Sequence, residues 1–234
     1  MVPDKLPAAA RDSDGNLEGF DIEVAEALSE RMGLPVQFTT PGWSNILAGK
    51  PEGEWDFAVA SMTPTKQRAA NLNFPALYRM DAAVVVVSAE NATLKEPRDA
   101  SGKTVAVKSK TTFQRYLEKS LTLDEGGLTT TYIIEGAKIK PVPSNRDALQ
   151  EVVDGKVDAA ITSLATAESA KKAGMAIKVL PGFLYLEPVA VATAKGDPVF
   201  DQKIADAVES LREDGTLSKL SIKWFGIDLG TVVP

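Results

Sequence analysis

The chain has 234 residues, with 44% hydrophobic and 25% charged residues, the ordinary globular mixture, so it can bury a sizeable core as one large domain or two small lobes. It contains neither Cys nor His, which excludes disulfides, thiolate and imidazole metal sites, cysteine nucleophiles and a Ser-His-Asp triad. A formal charge of −6 argues against nucleic acid or anionic membrane as the main partner.

In chain order, Asp14-Gly15-Asn16 reads as a turn. Apolar Ile22, Ala25, Leu28 and Met32 follow helical spacing, and Gly33 stops that helix. Pro35 to Thr39 reads as a strand, Trp43 to Ala48 as a short helix and Trp55 to Ala60 as a buried strand. The polar loop Ser61-Met62-Thr63-Pro64-Thr65 leads to Lys66-Gln67-Arg68. Ala82 to Val87, the longest apolar run, has the β-branched character of a strand buried on both faces and is too short to cross a membrane. Strand Thr104 to Val107 ends in the polar loop Lys108 to Thr112, with a helix beginning near Phe113. Thr122 to Gly127 reads as an exposed loop and Ile139 to Val142 as a short strand. Ser144 caps a helix through Val153, and strand Val157 to Ile161 runs into loop Thr162-Ser163. A helix over Ala165 to Ala173 and strands Ile177 to Leu180 and Val189 to Thr193 come next. Helices Phe200 to Arg212 and Leu217 to Trp224 close the chain.

The order β-α-β-α-β thus runs twice, in residues 20–87 and 104–193. Short strands alternating with helices predict an α/β fold with parallel sheets. Two apolar strands joining the halves predict two lobes crossed twice by the chain, with the last helices returning to the first.

Ligands of open α/β sheets sit beyond the carboxyl ends of strands, here loops 60–68, 108–112 and 162–163. The first offers the Ser61 and Thr63 hydroxyls and the Arg68 guanidinium, whose planar fork matches a carboxylate. The second offers Thr111 and Thr112 at a helix start, where unpaired N–H groups favour anions. Polar loops at strand ends are also commonplace, and a lone Arg is by default a solvated surface residue.

The ordered set Gly19-Phe20-Asp21-Ile22-Glu23-Val24-Ala25, Trp55-Asp56 through Arg68, Ser101 to Val107, Val157 to Ile161, Leu186-Glu187-Pro188, Lys195-Gly196-Asp197-Pro198 and Asp214-Gly215-Thr216-Leu217 covers nearly the whole chain. It resembles the polar amino-acid solute-binding proteins of ABC importers. The resemblance implies the periplasmic binding protein-like II fold: residues 1–86 plus 191–234 as lobe 1, residues 87–190 as lobe 2, each a mostly parallel sheet flanked by helices, joined by two hinge strands. It implies a non-catalytic, monomeric receptor, periplasmic or lipid-anchored outside the cell, that holds a small carboxylated solute between its lobes and delivers it to an ABC permease. No cofactor or metal is implied. The N-terminus lacks a basic segment followed by an apolar one, so no signal peptide is expected within this sequence. A cyclohexadienyl-dehydratase-like enzyme and a ligand-sensing module are the alternatives on the same scaffold.

By that resemblance Arg68 holds the α-carboxylate, helped by Thr63, Ser61 and Thr112, and Trp43 forms an aromatic wall, with core packing as its other reading. Four departures stand out. The family's acid for the ligand ammonium falls on Ser163, which carries no charge, so either the ligand has no standard α-ammonium or another acid, with Glu187 as the candidate, pairs with it. Lys110 replaces a Gly before the paired threonines, facing solvent or adding positive charge to the site. Lys5-Leu6-Pro7 stands where an aromatic and a Pro-containing turn are usual. The family's first strand should precede residue 2, and Thr231-Val232-Val233 has the strand character to fill its slot.

Overall fold

A computed structural model of the protein describes residues 7–123 and 130–230. The chain divides into two compact units: Met1–Met80, Leu123–Gly127 and Pro188–Pro234 form the first, Asp81–Thr122 and Leu128–Glu187 the second. The expected loop over Thr122 to Gly127 falls largely outside the described residues, and the proposed strand Thr231 to Val233 wholly so.

The first unit opens with a hairpin of β1 (Ala10–Arg11) and β2 (Leu17–Glu18) around the expected turn. The Asp12 carboxylate holds that turn by accepting the Asp14 and Asn16 N–H groups at 2.9 and 2.8 Å. Helix α1 (Phe20–Met32) starts at Gly19, where φ is 130° and a Cβ would collide with the Ala8 carbonyl. It stops at Gly33 in the left-handed conformation. Then come α2 (Trp43–Leu47), β3 (Phe57–Met62), α3 (Lys66–Ala69) and β4 (Leu72–Ser88), which carries the chain into the second unit.

Pro35 to Thr39 forms no strand. Leu34 and Val36 are exposed, prolines at 35 and 41 remove two N–H donors, and a cavity of about 390 Å³ lies where this segment passes β3. Strand composition alone does not make a ladder, since pairing takes a second segment in register.

The second unit contains β5 (Thr104–Lys108), α4 (Thr112–Leu117), β6 (Lys138–Val142), α5 (Asn145–Val153), β7 (Ala159–Ser163), α6 (Leu164–Lys172) and β8 (Ile177–Val179). Strand β5 pairs in parallel with β6 and β7, as helical crossovers require. Strand β4 enters from outside that series and pairs antiparallel with β7 and β8, which makes the sheet mixed. Residues Thr162 and Ser163, expected in a loop, end β7 instead, with Ala83 opposite Ser163 and Val84 opposite Thr162. Val84, Val86, Ala106, Leu149, Val152 and Ala160 belong to this unit's core.

Strand β9 (Tyr185–Ala194) returns the chain to the first unit, where it pairs antiparallel with β3, and α7 (Pro198–Glu213) and α8 (Thr216–Phe225) follow. Both helices pack on α1, burying Phe20, Leu28, Ile204, Val208, Leu211 and Leu217. Periodicity predicted these helices because their apolar positions repeat every three to four residues on the buried face.

Arg31, in the last turn of α1, bonds Ser210 and Asp214 at the end of α7. Hydrogen bonding from Thr216, reinforced by Arg31, lowers the Asp214 carboxyl to about 2. A lowered carboxyl stabilises the fold above its unfolded value near 3.8, and that contribution is lost as pH falls toward 2. Asp214→Asn is therefore expected to lower the melting temperature at pH 7, by a margin that shrinks as pH falls from 4 through 2, as thermal unfolding across that range will read.

Candidate functional site

In the first unit, β3 shifts register against β9 between Ala58 and Met62, and within that irregularity Ser61 adopts φ 47°. A bulge of this kind re-aims the residues that follow it. The strained backbone is held by a buried network. The Ser61 hydroxyl donates to Asp21 Oδ2 at 2.8 Å and accepts from Arg79 Nη2 at 3.0 Å, while the Ser61 N–H donates to the Tyr78 hydroxyl at 3.0 Å. Tyr78 in turn donates to Asp21 Oδ1 at 2.9 Å. Burial raises the Asp21 carboxyl above its ordinary range despite the opposing Arg79 charge and the Ser61 and Tyr78 hydrogen bonds. Burial first, then the Asp21 charge, push the Tyr78 phenol well above its ordinary value. The Arg79 guanidinium lies 5.9 Å from the Phe20 ring centre and 5.1 Å from that of Phe225. Ser61, expected to touch a ligand, thus has a hydroxyl engaged by the scaffold.

The loop after Ser61 carries buried Thr63 and Thr65 into α3. The Thr65 hydroxyl caps that turn by accepting the Arg68 N–H at 3.2 Å. Arg68 is only 8% exposed; its Nη1 donates to the Thr63 carbonyl at 2.7 Å and its guanidinium carbon lies 5.3 Å from the Trp43 ring centre. The structure therefore brings Thr63, Arg68 and Trp43 together, and Arg68 is not a solvated surface residue. Trp43 opens α2 and also packs on the cluster around Ile46, Ala58 and Met62, as its core-packing reading expects.

In the second unit, Lys110 is exposed, has φ 60°, and its N–H donates to Gln114 Oε1 at 2.8 Å. The left-handed backbone gives a physical reason for a Gly at this place. Thr111 precedes α4, its hydroxyl donating to the Lys108 carbonyl at 2.6 Å, and Thr112 opens the helix and donates to Glu187 Oε1. Glu187 is 6% exposed. Ser163 caps α6: its hydroxyl accepts the Thr166 N–H at 3.2 Å and donates to Thr166 Oγ1 at 2.9 Å.

The sequence reading missed Asp81, at 2% exposure the first residue of the second unit. Its Oδ1 accepts the Ala82 N–H at 2.8 Å and, 84 positions away, the Ala165 N–H in the first turn of α6 at 3.3 Å. The available signal was a carboxylate abutting the most apolar run of the chain, where burial of a charge needs specific partners.

The family model of bacterial extracellular solute-binding proteins, family 3, matches residues 1–227. The chain belongs to that family. The chain is 32% identical to the L-cystine-binding protein TcyA of Bacillus subtilis over 222 residues, 94% of this chain and 76% of that protein. An ancestral arginine-binding protein bound to glutamine superposes with a TM-score of 0.80 at 28% identity, covering 96% of each chain. The ancestral amino acid-binding protein AncCDT-1, described as a precursor of cyclohexadienyl dehydratase, superposes with a TM-score of 0.81 at 29% identity, covering 96% of this chain and 93% of the other. These likenesses bear out the expected fold and family resemblance. Among the described residues no helix is long and apolar enough to cross a membrane and no acidic cluster suits a metal ion.

For this family 3 protein, the Asp21–Tyr78–Ser61 network predicts that Tyr78→Phe leaves two buried groups short of a partner. Denaturant unfolding is expected to show a loss of about 1–3 kcal/mol.

Proposed function

We propose that the chain is a non-catalytic binding protein acting outside the cytoplasm, which captures a small amino acid and delivers it to an ABC permease. The observation that carries this reading is Arg68: a buried guanidinium, tethered at one nitrogen to the Thr63 carbonyl and set beside the Trp43 ring. A guanidinium oriented in this way is prepared for a planar carboxylate, the group common to all α-amino acids. TcyA binds L-cystine by its name, and the ancestral relative is bound to glutamine, so the relatives' ligands share that carboxylate and differ in side chain.

In this reading Arg68 and Thr63 hold the carboxylate, Trp43 contacts the side chain, and Ser61 acts by fixing the loop backbone. Thr111, Thr112, Ser163, Glu187 and Lys110 supply the second unit's groups to the same ligand. The protein works as a monomer with the permease as its partner, and its cargo, not a cofactor, is its only small-molecule ligand.

A panel of L-cystine, L-arginine, L-glutamine and dicarboxylates tests this by thermal shift. A ligand at 100 times its Kd adds about 2.7 kcal/mol of stability. Arg68→Ala is expected to weaken the best ligand by about 100-fold, since removing one partner of a buried charged pair costs about 3 kcal/mol. An unchanged shift rejects the carboxylate site.

A second reading follows from the likeness to AncCDT-1 together with buried Glu187: a dehydratase using that carboxyl as general acid. Incubation with a cyclohexadienyl acid is expected to yield no product. Turnover abolished by Glu187→Gln would establish the enzyme instead.

A further inference from the structure

Resting on the amino-acid reading above, we infer that Asp81 supplies the negative charge for the ligand's ammonium group, in place of an acid at position 163. Strand register within the second unit brings the Asp81 and Ser163 side chains together. Ala83 of β4 lies directly opposite Ser163 of β7. Side chains at i and i+2 share a face of a strand, and directly opposite residues share a face of the sheet. Asp81, Ala83 and Ser163 therefore project from the same face.

Asp81 and Ser163 are diagonal neighbours in this ladder, a relation that places Cβ atoms roughly 7–8 Å apart or somewhat less. One ammonium between them can reach both a carboxylate and a hydroxyl at ordinary hydrogen-bond lengths. The Asp81 carboxylate is already oriented, because Oδ1 takes the Ala82 and Ala165 N–H groups. The Ala165 bond ties it to the turn that Ser163 caps. Charge and hydroxyl thus meet at the end of β7 although they come from strands far apart in sequence. Glu187, the other buried acid of this unit, accepts from Thr112 at the start of α4, a different loop.

An alternative role for Asp81 is purely structural, as an acceptor for the first turn of α6. Asparagine separates the two, since its amide oxygen still accepts both N–H groups but carries no charge. The probes are L-arginine and L-glutamine, each beside its deaminated analogue, 5-guanidinopentanoic acid and glutaramic acid, titrated calorimetrically. The parent is expected to prefer at least one amino acid over its analogue by about 30-fold or more, the scale of a buried charge pair. Asp81→Asn should erase that preference while leaving analogue binding and the melting temperature unchanged. Asp81→Asn/Ser163→Asp, which moves the charge across the ladder, should restore it.

Preference retained in Asp81→Asn overturns the proposal, as does a parent that never distinguishes the two forms. Preference lost in Glu187→Gln but kept in Asp81→Asn assigns the role to Glu187. Arg68→Ala reports separately on the reading beneath: it should weaken amino acid and analogue alike. If it weakens neither, the carboxylate site fails, whatever Asp81 does.

Discussion

The bond from Arg68 to the Thr63 carbonyl is the constraint on which the first unit's chemistry depends. A guanidinium withdrawn from water is costly unless its donors are met, and a neutral carbonyl meets one without cancelling the charge. The Trp43 ring adds a polarisable face at 5.3 Å. Together they hold the guanidinium in a fixed orientation. Affinity gained by such preorganisation comes from entropy not lost on binding.

That arrangement needs a loop held in an unfavourable shape. Ser61 occupies the left-handed region without being glycine, and the cost is offset by a network reaching from α1 through Asp21 to β4 through Tyr78 and Arg79. Arg79 extends it to Phe225 on α8. The last helix thus stands behind the loop as part of its support, a physical reason for the chain to return to the first unit. Strain of this kind persists only where the surroundings over-determine it.

The second unit keeps its charge differently. Two carboxylates, Asp81 and Glu187, are buried there, each accepting from groups at a helix start. Burial among fixed donors takes such acids out of bulk water, so their field is less screened than that of a surface carboxylate.

Much of this was legible in the sequence. Amphipathic spacing and caps located α1, α5, α6, α7 and α8 to within a residue or two, since helices are built from contacts three and four positions apart. The ordered motifs placed Arg68 and the paired threonines at strand ends, and the family followed from them. Other features depended on residues far apart in the chain. Pro35 to Thr39 has strand composition yet forms no strand, because pairing is a property of two segments and not of one. The Ser61 hydroxyl was open to a ligand on paper and is taken by Asp21 and Arg79, 40 and 18 positions away. Asp81 and Ser163 become neighbours only when β4 and β7 align. Local periodicity and chemistry determined which elements form and which side chains can bind; the register of distant strands decided which of those side chains meet, since that choice is set by long-range packing that no short window of residues records.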